Sequence, residues 1–131
     1  MKADNFMVDS EWWTLEDVYN RLPNFDSGEF ISDMSPDVKE RVEKCHAYLA
    51  DKIAKKNVTL YGVNTGFGSL ANTRIPDDKL SELQYKILIS HACGVGDDVP
   101  DCIVRMMLLL KAKALGQGHS AVNPLTIERL L

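Results

Sequence analysis

The chain has 131 residues, a formal net charge of -4, 45% apolar residues and 26% charged ones. That is room for about one domain with a modest core, and the acidic balance gives no basic footprint for nucleic acid. Cys45, Cys93 and Cys102 are odd in number and form no Cys-x-x-Cys pair, which argues against a disulfide scaffold and for a reducing, cytoplasmic setting. Residues 1–11 carry Asp4, Asp9 and Glu11 without an apolar run, so they are read as a flexible N-terminus and not as a secretory signal.

The ordered part is expected from residue 12 to residue 131. Trp12 and Trp13 open it as core or interface anchors, and Thr14 is a plausible N-cap for a short helix ending by Leu22, before Pro23. Asp26-Ser27-Gly28 reads as a turn and Glu29-Phe30-Ile31 as a short strand. A clear helix follows, with Ser35 at the cap, Pro36 first and Asp37 in the first turn. Val38, Val42, Cys45, Leu49 and Ile53 recur at helical spacing as one apolar stripe. His46 beside it reads as a surface residue.

Next comes Tyr61-Gly62-Val63-Asn64-Thr65-Gly66-Phe67-Gly68, just after the apolar-polar run Val58-Thr59-Leu60. Three glycines in eight residues suit a shaped loop that brings backbone close to a ligand or another chain, and a plain glycine-rich turn is the simplest account. No lysine follows until Lys79, so it is no P-loop. The spacing Gly62, Gly66, Gly68 is not the dinucleotide fingerprint either.

A second helix is expected from Pro76-Asp77-Asp78, with Leu80, Leu83, Ile87 and His91 on one face. His91 is there either a buried histidine bonded to backbone or one that orients a substrate. Cys93-Gly94-Val95-Gly96 should end that helix. Asp97 or Asp98 is expected to cap a third helix, with Pro100 near its first turn. Ile103 to Leu110 is apolar almost all round but too short to span a bilayer, and Arg105 interrupts it. Such a helix must be buried in a large core or against other subunits. Asn123-Pro124 then starts a last helix, which the sequence leaves after about two turns, as if truncated within it.

His91, Cys93, Cys102 and His119 lack the tight ligand pairs of a structural zinc site, so no metal is expected. No cysteine is marked as an activated nucleophile, and no Gly-x-Ser-x-Gly elbow occurs. The residues alone leave Tyr61, Asn64 and His91 as the best site candidates, with the reaction class open.

Three stretches together resemble the N-terminal part of the histidine and aromatic amino acid ammonia-lyase family. They are Tyr61 to Gly68, Leu83-Gln84 through Ser90-His91-Ala92-Cys93-Gly94-Val95-Gly96, and Arg105 to Val122. The resemblance implies a mainly α fold with a few short strands near the start and before the Tyr61 loop. It implies elimination of ammonia from histidine or an aromatic amino acid, or, in related aminomutases, transfer of the amino group to the β-carbon.

The resemblance also implies site roles. Tyr61 would be the base that takes the substrate's β-proton; a free phenol ionises only near pH 10, so the loop's amides are expected to help hold a phenolate. His91 would contact the substrate side chain, with Ser90, Asn64 and Gly68 at the substrate site. The Ser90-His91 pair favours histidine. The family's electrophile is a methylidene-imidazolone (MIO) group made from an internal Ala-Ser-Gly, expected beyond Leu131, so this segment alone should be inactive. A homotetramer, an amino acid substrate and no nucleic acid or membrane partner complete the expectation. Lys113 and Ser120-Ala121 depart from the family, which often has asparagine and Ser-Gly there. A reading of another class is a short noncatalytic homologue serving as an interaction or oligomerisation module.

Overall fold

The computed structural model describes residues 5–20, 31–55 and 58–131. The expected helix end at Leu22, the Asp26-Ser27-Gly28 turn and the Glu29-Phe30 half of the expected strand lie outside the described residues. The chain divides into two units, one from Met1–Asp51 with Asp98–Leu131 and the other from Lys52–Asp97.

In the first unit, β1 (Asn5–Val8) pairs in parallel with β2 (Ile31–Met34), in register from Asn5 opposite Ile31 to Val8 opposite Met34. Residues 5–8 of the stretch expected to be flexible are therefore a strand, and Val8 is fully buried. Parallel strands need a long crossover, and its described part contains a helical stretch over residues 15–20. Thr14 caps that stretch. Its hydroxyl accepts the Asp17 N–H at 3.1 Å, and the Asp17 carboxylate accepts the Thr14 N–H at 2.8 Å. This is a reciprocal capping box with aspartate in the usual glutamate place.

Helix α1 (Pro36–Ala54) begins where the Ser35 N–H donates to Val8 O at 2.9 Å. Val38 and Val42 of its stripe are buried, Cys45 and Leu49 are half-buried, and Ile53 is exposed. The stripe thus meets the core only along its first half. His46, expected at the surface, is half-buried, and its Nδ1 donates to Ala121 O at 3.1 Å.

In the second unit, helix α2 (Leu80–His91) follows a 3-10 turn over Asp77–Lys79. Val58 to Leu60 take no regular structure, although a short strand is expected before the Tyr61 loop. The Asn64 side chain occupies the polar groups on which such a strand would pair, as described below.

Back in the first unit, α3 (Asp101–Leu115) and α4 (Pro124–Leu130) complete the core. Asp97 and Asp98 do not cap α3. Pro100 is extended at its N-terminus (φ -52°, ψ 137°), and its carbonyl accepts the Ile103 and Val104 amides. Proline disfavours helical geometry in the residue before it, so Val99 cannot open a helix behind an Asp98 cap, and with Pro100 itself extended α3 starts at Asp101. At α4 the expected cap forms, with Asn123 Oδ1 accepting the Leu125 N–H at 3.0 Å.

The core joins Val8, Met34, Val38, Val42, Met106, Leu109, Ala112 and Ile127, with Trp13, Val18 and Leu115 against it. Each of its valine, leucine, isoleucine and methionine side chains, fully buried, is worth about 1.5–3 kcal/mol. Trp13 packs as expected; Trp12 is 95% exposed. Lys113 is only 8% exposed, yet its ammonium is accommodated. It ion-pairs with the Asp9 carboxylate, donates to Asp9 O at 2.8 Å and lies 4.4 Å from the Trp13 ring centre. The outer face of α3 exposes Ile103, Val104, Met107, Leu108 and Leu110. Among the described residues no helix is long and apolar enough to cross a membrane.

Candidate active site

Tyr61 stands in a turn whose main chain folds back on itself. The Val63 and Asn64 amides both donate to Leu60 O at 3.1 Å. Gly62 carries the positive φ the turn requires, +73°, a conformation that glycine adopts without penalty. The turn then runs into an antiparallel bridge between Thr65 and Arg74. Ile75 N–H donates to Asn64 O at 2.9 Å, and Gly66 N–H donates to Thr73 O at 3.1 Å. At Gly66 the need is space, because a Cβ there would fall 2.5 Å from Leu70 Cβ and 3.0 Å from Leu70 O.

Two polar side chains inside the loop are buried. Asn64, expected at the substrate, is 3% exposed and turned inward. Its Oδ1 accepts the Leu60 N–H at 2.7 Å and its Nδ2 donates to Val58 O at 2.9 Å. One carboxamide thereby does for residues 58–60 what a neighbouring strand would do. Thr65 is fully buried, with its hydroxyl accepting the Gly62 N–H at 3.2 Å and donating to Gly66 O at 2.9 Å. Sequence reasoning passed over Thr65. The available signal is a hydroxyl residue held between Gly62 and Gly66, where it can satisfy two loop amide groups.

Tyr61 itself points outward, 66% exposed, with its ring edge-on to Phe67 at 5.9 Å between centroids. Phe67 precedes the 3-10 turn Gly68–Leu70, so Gly68 sits where the loop changes direction. Tyr61, Asn64 and Gly68 share this loop. Ser90 and His91 stand apart from it in sequence, at the end of α2 in the same unit.

His91 is exposed, so the buried alternative does not apply. Its Nδ1 lies 2.9 Å from Ile87 O and 3.0 Å from Ser90 Oγ, and Ser90 Oγ donates to Ile87 O at 2.9 Å. A carbonyl only accepts, so in the tautomer that bonds Ile87 O the proton sits on Nδ1, which leaves Nε2 as an acceptor. Nearby on α2, the hydrogen-bonded Lys86 ammonium, helped by Lys79, holds the Glu82 carboxyl below its ordinary value. Among the described residues no three His, Cys, Asp or Glu side chains gather as a metal site.

The chain has counterparts among known proteins. Residues 15–131 match the aromatic amino acid lyase family. The chain belongs to that family. Over 124 residues it is 40% identical to the histidine ammonia-lyase of Bacillus subtilis, covering 95% of this chain and 23% of that protein.

Two solved structures show the same fold. The ergothioneine-degrading enzyme ergothionase of Treponema denticola is 28% identical with a TM-score of 0.83, covering 97% of this chain and 24% of that one. The phenylalanine aminomutase of Pantoea agglomerans is 27% identical with a TM-score of 0.82, covering 95% and 24%. The chain spans between 16% and 23% of the length of the curated histidine ammonia-lyases it matches.

Proposed function

We propose that this chain is the N-terminal segment of a cytoplasmic, homotetrameric amino acid ammonia-lyase that acts on histidine, with residues 12–131 forming the start of its lyase domain. Tyr61 takes the proton from the substrate's β-carbon. The electron pair of that C–H bond becomes the Cα–Cβ double bond, and the Cα–N bond breaks. His91 reads the substrate ring. The observation that carries this reading is the family match, which runs through both Tyr61 and His91.

With Nδ1 donating to Ile87 O, the Nε2 of His91 supports a substrate ring that carries a hydrogen-bond donor, histidine or tyrosine, over phenylalanine. An Nε2 acceptor receives a ring N–H from imidazole or an O–H from a phenol, whereas a phenyl ring offers no donor. A site built around such a hydrogen bond rejects the ring lacking it by roughly 10⁴-fold or more. Ser90 keeps the His91 ring oriented, and Gly68 shapes the loop beside the substrate. The apolar outer face of α3 supports burial in a larger assembly.

Ala-Ser-Gly does not occur in the 131 residues, so the residues present do not supply the MIO group. In a longer chain that group would supply the electrophile that makes the amine a leaving group.

The test is made in the complete chain that carries this segment, supplied with histidine, tyrosine and phenylalanine in turn. Tyr61→Phe is expected to lower turnover of the best substrate by about a hundredfold or more, read as absorbance of the unsaturated acid. Undiminished turnover would remove Tyr61 as the base. A β-amino acid product would favour the aminomutase reading, which the likeness to the phenylalanine aminomutase keeps in view.

A further inference from the structure

We propose that Asn64 and Thr65 are positioning residues that fix Tyr61 by clamping the main chain on both sides of it. This rests on the reading of Tyr61 as the base. Leu60, immediately before Tyr61, is held through its N–H by Asn64 Oδ1 at 2.7 Å and through its carbonyl by the Val63 and Asn64 amides at 3.1 Å. Gly62, immediately after, is held through its N–H by Thr65 Oγ1 at 3.2 Å.

Both clamping side chains are buried, at 3% and 0% exposure, and each is used at both a donor and an acceptor atom. Tyr61 is the exposed residue between the two held neighbours. The contrast matters, because an exposed side chain gains little positional restraint from packing of its own. Its ring touches Phe67 edge-on, and that contact leaves the backbone torsions of Tyr61 undetermined. Those torsions are set by where Leu60 and Gly62 are pinned. Asn64 and Thr65 therefore act on the proton transfer through Tyr61 and without touching the substrate.

The roles of the two side chains differ. Asn64 ties the turn to the incoming stretch at Val58 and Leu60. Thr65 ties the turn to itself, between Gly62 and Gly66. Removing the threonine hydroxyl should free the Gly62 peptide while the Thr65–Arg74 bridge and the Asn64 bonds hold the rest. Thr65→Val is then the cleaner probe, since it keeps the shape of the side chain and deletes only the hydroxyl.

The experiment uses the complete chain carrying this segment, with Tyr61→Phe, Thr65→Val and Thr65→Ser compared by steady-state kinetics and by amide hydrogen exchange at Gly62. In Thr65→Val, kcat is expected to fall by ten- to a hundredfold, the scale of loss when a reacting group is misplaced by about 1 Å. KM should stay within about twofold, Gly62 exchange should accelerate, and Thr65→Ser should restore both kcat and protection. A wild-type kcat in Thr65→Val, with Tyr61→Phe inactive, would overturn the clamp while leaving Tyr61 as the base. A fully active Tyr61→Phe enzyme would instead overturn the base assignment and the clamp's catalytic role with it. If Thr65→Val loses helical signal or soluble yield, Asn64→Leu decides, because it keeps the size of the side chain and deletes the acceptor that holds the Leu60 N–H. Its kcat is expected to fall at similar KM with faster Leu60 exchange, and a wild-type kcat would overturn the clamp.

Discussion

Ala121 has φ 51°, the positive-φ position held by a non-glycine residue among the described residues, and the His46 ring donates to its carbonyl at 3.1 Å. A left-handed conformation costs an L-residue about 1–2 kcal/mol. Glycine's greater freedom in the unfolded chain offsets roughly 0.5–1 kcal/mol of the relief. Ala121→Gly is therefore expected to stabilise the fold by about 0.5–1 kcal/mol, seen as a higher denaturant midpoint at an unchanged slope. The departure from the family's Ser-Gly was legible in the sequence, but the backbone angle that gives it meaning was not. Lys113 makes the same point more strongly. Nothing near it in sequence foretells a buried ammonium, because the partner that makes burial tolerable, Asp9, lies 104 residues away. A buried charge without that partner costs several kcal/mol.

At the scale of elements, what was legible was local. Ser35-Pro36-Asp37 and Asn123-Pro124 place α1 and α4, because cap and proline chemistry is complete within a few residues. The start of α3 was displaced by Pro100, and the strand expected at Val58 to Leu60 was pre-empted by Asn64. In both cases a second local rule outweighed the first. The helices also set an acid response. Hydrogen bonds from Ser35 and then Ser10 hold Asp37 below its ordinary value of 3.8, and hydrogen-bonded Lys44 holds Glu40 below 4.5, as Lys86 does for Glu82. A carboxyl depressed on folding contributes stability above its ordinary pKa and loses it as pH falls through the lowered folded value. These three groups should leave thermal stability flat from about pH 6 to 8 and begin to weaken it below about pH 4.5. Melting followed by helical circular dichroism across pH checks this. Asp37→Asn should shrink the acid-side loss; an unchanged profile would show that its bond to Ser35 adds nothing to folding.

For the molecule as a whole, the outer face of α3 is the feature that reaches beyond the chain. Ile103, Val104, Met107, Leu108 and Leu110 are each 40–62% exposed, and contiguous apolar surface of this kind favours association. The isolated 131 residues are expected to self-associate in sedimentation velocity at tens of micromolar, roughly the range of weak contacts, and Met107→Lys with Leu108→Lys to shift them towards monomer. A monomer already at those concentrations would remove the face as a contact.

The site is organised on another basis. Every hydrogen bond described for the Tyr61 loop closes within residues 58–75. Domains emerge from the ribosome N-terminal end first, so this stretch can take its shape before any later segment is made. On the proposed reading, Tyr61 then belongs to a prefabricated part: its loop is shaped early in synthesis, and whatever would complete the site has to be built to fit it.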